Sequence, residues 1–116
     1  MNPKDKCGMK KVPLHLIPAA ADIAEAQVLA LGAKKYGEFN WRDEQIQASV
    51  YVSAARRHLA AWFDGEDCDP ESGVSHLAHV RACMSILLDA ISLDGVIDDR
   101  PTEGAAALLI KECEKR

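Results

Sequence analysis

Apolar side chains recur at helical spacing in three long stretches of the chain, and nowhere do they alternate with a period of two over the length of a strand. The first stretch follows Pro18, which suits the opening turn of a helix, and runs over residues 18–35 to a stop at Gly37. At about 100° per residue, Ala19, Ile23, Ala26, Ala30 and Lys34 share one face, and Glu25 points the opposite way. A second helix is expected over residues 47–64, with Tyr51, Val52, Ala55, Leu59, Trp62 and Phe63 as its buried stripe and His58 at the border. A third is expected over residues 73–91. Leu77, Val80, Met84, Leu87, Leu88 and Ile91 form its main apolar face, and His76, His79 and Cys83 make a second inner line. Arg81, Ser85 and Asp89 fall on the side assigned to solvent.

The connecting segments complete the outline. Residues 1–17 read as an extended arm ending in VPLHLIP, and YGEFNWRDEQ reads as an ordered loop. After the third helix, DGVIDDRPTEG is a turn-rich linker, from which Thr102 is placed to cap a short last helix ending near Cys113. Together these elements predict one all-α domain over residues 1–116, a compact bundle of about four helices. Hydrophobic content of 48% with few aromatics and many alanines favours the same close helix packing.

Charge and cysteine usage narrow the chemistry. With a net charge of −4 there is no basic field for a nucleic acid polymer or an anionic membrane, so a phosphate-bearing ligand needs placed cations or a metal. No stretch reaches the ~18 apolar residues of a membrane span, and the basic first residues lack the apolar run of a signal peptide. Cys7, Cys68, Cys83 and Cys113 are scattered without CxxC spacing, which fits a reduced, cytoplasmic protein.

Between the second and third helices, DGEDCDPESG holds five carboxylates: Asp64, Glu66, Asp67, Asp69 and Glu71. No register of this turn puts Gly at the sixth and Glu at the twelfth position of an EF-hand loop. A solvated turn that caps the next helix accounts for the acids. A metal cage accounts for one thing more: Glu66 stays in helical phase with Leu59 and Trp62, where an unpartnered carboxylate is costly. His76 and His79 face the same interior. Oxygen ligands suit Mg²⁺ or Mn²⁺, and imidazoles shift the balance towards Mn²⁺. A third account pairs His76, His79, Cys83 and Cys68 in a zinc-structured adaptor, although no second cysteine pair stands at ligand spacing.

The segment GAKKYGEFNWRDE offers what a nucleotide requires. Lys34 and Lys35 supply charge for phosphates, Tyr36 and Trp41 an aromatic plane for a base, and Asn40 and Arg42 polar contacts. Lysines at a helix C-terminus also simply complement its dipole. Arg56, Arg57 and His58 are the remaining cations and donors near the acidic turn.

The ordered series GAKKYGEFNWR and AARRHLAAWFDGEDCDPESGVSHLAHV resembles the phage and bacterial dATP/dGTP diphosphohydrolases of the MazG-like, all-α nucleoside triphosphate pyrophosphohydrolase superfamily. The similarity spans residues 14–88. It implies metal-dependent hydrolysis of a purine deoxyribonucleoside triphosphate to monophosphate and pyrophosphate, in a helical homo-oligomer. The alanine-rich face of the first helix and the broad apolar arcs of the second and third predict at least a dimer, with the site near the subunit boundary. The superfamily's usual EExxE is absent, and the sole ExxD, Glu66 to Asp69, lies in a turn. Metal ligands are therefore not transferable from that signature. Glu66, Asp69, Glu71, His76 and His79 remain the candidates, with Glu66, Asp69 and Glu71 as the catalytic carboxylates. A helical module that binds nucleotide or a partner without turnover would show the same helices.

Overall fold

A computed structural model describes residues 1–114. Its helices are α1 (Pro3–Gly8), α2 (Ala19–Tyr36), α3 (Ala48–Phe63), α4 (His76–Ser92) and α5 (Ala106–Cys113). The architecture is all-α. A two-residue parallel pairing, Ile46–Gln47 (β1) with Val96–Ile97 (β2), is the small exception that the apolar pattern did not announce.

Helix α4 is the centre of the fold, packed against α3 along one side and α2 along another. The interior is built from small side chains: Ala48, Ala55, Ala78, Ala82 and Ala90 are buried, and His76 is the buried polar residue among them. Alanines let helix axes approach closely. Ser75 starts α4 by accepting a hydrogen bond from the Leu77 amide (3.1 Å). At the other end, β1 and β2 tie the entry to α3 to the exit from α4, and Asp99 reinforces the tie by accepting from the Ser49 amide (2.8 Å) and hydroxyl.

Helix positions agree with the pattern to within a few residues, and the faces agree in part: Tyr51 and Ala55 on α3 and His76, His79 and Cys83 on α4 turn inward as expected. Helix α2 presents Ala21, Ala24, Glu25, Val28, Leu29 and Ala33 inward, and Ile23 (64% exposed) outward. Lys34 is exposed too. On α3, Tyr51, Ala54, Ala55, His58 and Ala61 face α4, whereas Val52, Leu59, Trp62 and Phe63 are exposed. On α4 the polar line thought to be solvated turns towards α2: Glu25 accepts from Ser85 Oγ (2.7 Å) and pairs with Arg81 Nε (2.9 Å), and Arg81 also pairs with Asp22. Leu77, Leu88 and Ile91 remain exposed. The physical reason is shared. Alanine carries little hydrophobicity, so an alanine face that packs closely is outscored by larger apolar residues that this chain does not cover.

Two terminal expectations also change. Residues 1–17 are not one extended arm, because Asn2 caps Pro3–Gly8 by accepting from the Lys4 amide (2.7 Å), with Pro3 pre-set for the first turn. A 3-10 turn follows at Leu14–Leu16. Helix α5 ends at Cys113 as expected, but Ala105, not Thr102, occupies its cap position and makes no side-chain bond there.

Candidate functional site

The chain from α3 to α4 reverses through the acidic turn. Asp69 organises it: its side chain accepts from the Glu71 amide (2.7 Å), its own amide bonds to Val74 O (2.9 Å), and its carbonyl accepts from Gly73 N (2.7 Å). Gly73 has φ +72°, a conformation that glycine adopts without cost. The reversal leaves the Asp69 carboxylate facing the first turns of α4 and the middle of α3.

There it meets two imidazoles, and a third lies behind the first. His58 from α3 lies flat on His79 from α4, with ring centroids 4.3 Å apart and planes 8° from parallel. Asp69 Oδ2 is 3.8 Å from His58 Nδ1 and 4.0 Å from His79 Nε2. One donor atom from each of His58, Asp69 and His79 lies within 4.8 Å of the other two. Ser72 Oγ is 2.7 Å from His79 Nε2. His76 Nδ1 lies 2.9 Å from His58 Nδ1, and its Nε2 is 2.6 Å from Glu66 Oε1.

Electrostatics set the donors in their ligating forms. Burial, then the neighbouring His79, lowers the His58 pKa. Burial likewise lowers that of His79, against the pull of Asp69. The Glu71 amide holds the Asp69 carboxyl below the usual carboxylate range. Neutral imidazoles and an ionised carboxylate are the forms a divalent cation binds. The donor set fits such an ion.

A stability prediction follows with a definite sign. Because His58 and His79 have folded pKa values below 6.5, the unfolded chain binds more protons as the medium is acidified. Their contribution is complete above 6.5 and is lost as pH falls through the folded values. The melting temperature of metal-free protein is expected to fall between about pH 7 and about pH 5, and to fall less in His79→Gln. Equal slopes for the two proteins in a pH series of thermal melts would contradict this.

Beside the cluster a cavity of about 610 Å³ opens between α2, α4 and the loop after α2. Tyr36, Phe39, Asn40 and Trp41 line one end, and His79 lines it too, so the cavity reaches the histidines. Asp89 holds this loop in place, accepting from Trp41 Nε1 (2.7 Å) and from Arg42 Nε and Nη2 (both 2.9 Å). The Arg42 guanidinium and Trp41 hold the Asp89 pKa down to about 2. Arg42 also stacks over the Phe39 ring, 4.5 Å from its centroid. Phe39 adopts φ +53°, a left-handed conformation in which a bulky side chain is strained.

The structure sorts the sequence candidates. Asp69 and His79 converge with His58, although the position of His58 suggested a phosphate donor rather than a ligand, and His76 lies between His58 and Glu66. Glu66 is one contact back, behind His76. Glu71 does not belong: it is exposed and pairs at 3.8 Å with Lys35. Tyr36, Asn40 and Trp41 line the cavity, whereas Arg42 serves Asp89. Arg56 and Arg57 line a different cavity with Val52 and Leu87. Neither Cys68 nor Cys83 joins the metal-type group found among the described residues, which removes the cysteine half of the zinc adaptor. Asp89, Glu25 and Phe39 were missed as site residues. Their signal was the i, i+4, i+8 polar line Arg81, Ser85, Asp89 on an otherwise apolar helix.

The chain is an α-helical bundle with a His/Asp cluster beside an apolar cavity of about 610 Å³. Residues 1–100 match the family described as dATP/dGTP diphosphohydrolase, N-terminal, and the chain belongs to that family. It is 32% identical over 90 residues to a protein of Salmonella phage PMBT28 called dATP/dGTP diphosphohydrolase. The match covers 78% of this chain and 30% of that relative, so the chain spans about a third of its length. No solved structure matches.

Proposed function

We propose that the chain hydrolyses a purine deoxyribonucleoside triphosphate, dGTP or dATP, to the monophosphate and pyrophosphate in a metal-dependent reaction. The observation that carries this is the continuity between the cavity and the cluster: His79 belongs to both. The family name of the match supports the substrate class.

In this arrangement the nucleoside enters the cavity, and Trp41, fixed by Asp89, gives the base a plane to stack on. Stacking alone tolerates any base, so the Asn40 amide supplies part of the selectivity. The phosphates then extend towards His58, Asp69 and His79, with Lys34 and Lys35 at the end of α2 as the nearby cations. His58, Asp69 and His79 are the side chains that would hold the ion, with His76 behind His58. Bound there, it would supply charge neutralisation on the phosphates and an activated water. A donor set rich in imidazole favours Mn²⁺ over Mg²⁺.

The test is a panel of dNTPs and NTPs with Mn²⁺ or Mg²⁺, assaying monophosphate and pyrophosphate together. Equal yields of the two from a purine dNTP, with none after chelation, is the expected result. Release of inorganic phosphate instead, or no metal-dependent turnover, would overturn it. Trp41→Ala is expected to raise KM for the favoured purine about tenfold or more, with a smaller change in kcat. An unchanged KM would make Trp41 a structural residue only.

We also propose a homo-oligomer, at least a dimer. Leu59, Phe63, Leu88 and Ile91 leave more apolar surface outside than a monomer of this size usually shows. A monodisperse monomer at micromolar concentration in sedimentation would overturn this.

A further inference from the structure

Glu66 was the carboxylate that the helical phase singled out, yet it touches none of His58, Asp69 or His79. Its contact is His76, at 2.6 Å. A carboxylate accepts hydrogen bonds and cannot donate them, so the proton of that contact sits on His76 Nε2. In its neutral form the ring then carries its lone pair on Nδ1, which lies 2.9 Å from His58 Nδ1. Two lone pairs cannot face each other at that distance. Either His58 donates a proton across the gap or a cation takes the proton's place.

We propose that Glu66 is a positioning residue rather than a ligand: by fixing the Nε2–H form of His76, it turns His76 Nδ1 towards His58 and so holds His58 in its place beside Asp69 and His79. This rests on the metal-dependent reading of the site. His76 is suited to the task because only 4% of it is exposed, so it has no solvent to reorient towards. Its backbone is held too, with the amide bonded to Asp67 O at 3.0 Å in the turn that carries Glu66. Glu66, by contrast, has a side chain 53% exposed. Solvent can therefore reach the carboxylate and not the imidazole that it holds. Outer partners of this kind orient ligating histidines and set which nitrogen is free.

The experiment has a readout that needs neither metal nor substrate. In metal-free, ¹⁵N-labelled protein, long-range ¹H–¹⁵N correlations of the histidine rings report the tautomer of His76 directly. The wild type is expected to show a single Nε2–H form. Glu66→Ala is expected to show a mixture, and Glu66→Gln, whose amide oxygen still accepts, to restore the single form. In titrations with Mn²⁺, Glu66→Ala is expected to bind about 10–100-fold more weakly and Glu66→Gln to lie between it and the wild type. Thermal melts verify that each variant is folded. His76→Gln provides a second line, and is expected to weaken Mn²⁺ binding at least as much as Glu66→Ala. An unchanged tautomer in Glu66→Ala would overturn the proposal. So would a wild-type tautomer accompanied by complete loss of Mn²⁺ binding, which would make Glu66 a ligand. Failure of the hydrolysis reading would instead appear as absent turnover with the tautomer results intact.

Discussion

Asp69→Asn and His79→Gln should each lower dNTP turnover at saturating Mn²⁺ by more than the ~10–100-fold typical of losing an outer partner of a metal ligand. Both side chains face the point where the donor atoms come together, and Asp69 also shapes the turn that delivers it there. Two effects have to be separated. Asn retains an oxygen that can accept from the Glu71 amide, so the turn survives while the anionic ligand is lost. For that reason the Asp69→Asn melting temperature should stay close to wild type. Asp64→Asn, Asp67→Asn and Glu71→Gln are the matched controls, since all three side chains are exposed and none belongs to the cluster. Activity and melting temperature measured on all five variants decide the matter. Similar mild losses throughout would show the acidic run to be a solvated turn, and the chemistry would lie elsewhere.

The second large effect is expected on stability. Ala82 is 2% exposed in the middle of α4, and both it and Cys83, one residue on, border the cavity. Ala82→Leu adds three carbons where the helices already touch, and overpacking of this kind costs about 1–3 kcal/mol. For a domain of this size that corresponds to a fall of roughly 4–8 °C in Tm per kcal/mol. The comparison is Leu88→Ala, at a position 68% exposed, which should hardly move the melt of an isolated chain. Thermal melts over a range of protein concentration distinguish the two. If Ala82→Leu melts with wild type, the alanine contacts are not what holds α4 in place.

Helix boundaries were legible because local chemistry punctuates them. Gly37 ends α2 where expected, whereas Ser75 opens α4 a little beyond the expected start at Gly73. Facing was legible only in part, as for Ala55 and His76. Ile23, Phe63 and Leu88 dominate any hydrophobic count, yet the intramolecular contacts run through Ala24, Ala55 and Ala82, whose hydrophobic signal is weak. Glu25 and Arg81 were assigned to solvent for the same reason, although they satisfy each other across the contact between α2 and α4.

The site was legible in kind and not in detail. Asp69, His76 and His79 could be named because acids and imidazoles close together in sequence suggest a cation. His58 was visible only as a donor, because its place beside Asp69 depends on how the turn folds back. Glu66 had the right phase but the wrong neighbour. Helical phase ends where α3 ends, at Phe63, and the Glu66 amide bonds instead to Ala61 O (3.0 Å) in a reversal that carries it towards His76.

The parallel pairing of β1 with β2 has a mechanical consequence. Helices α3 and α4 are fastened at one end by the acidic turn and at the other by this pairing and the Asp99 cap. A beam clamped at both ends cannot splay, so the spacing between His58 on α3 and the histidines on α4 is insulated from whatever happens at the cavity. Helix α2 is tied differently, by side chains alone: Arg81 holds Asp22 near its start, and Asp89 holds Trp41 and Arg42 in the loop after its end. It rests chiefly on α4, through Glu25, Asp22, Arg81 and Ser85, and continues into the loop that carries Trp41. The fold thus divides into a frame of α3 and α4, fastened through the backbone at both ends and carrying the cluster, and a side wall, α2, joined to it through ion pairs and hydrogen bonds of side chains.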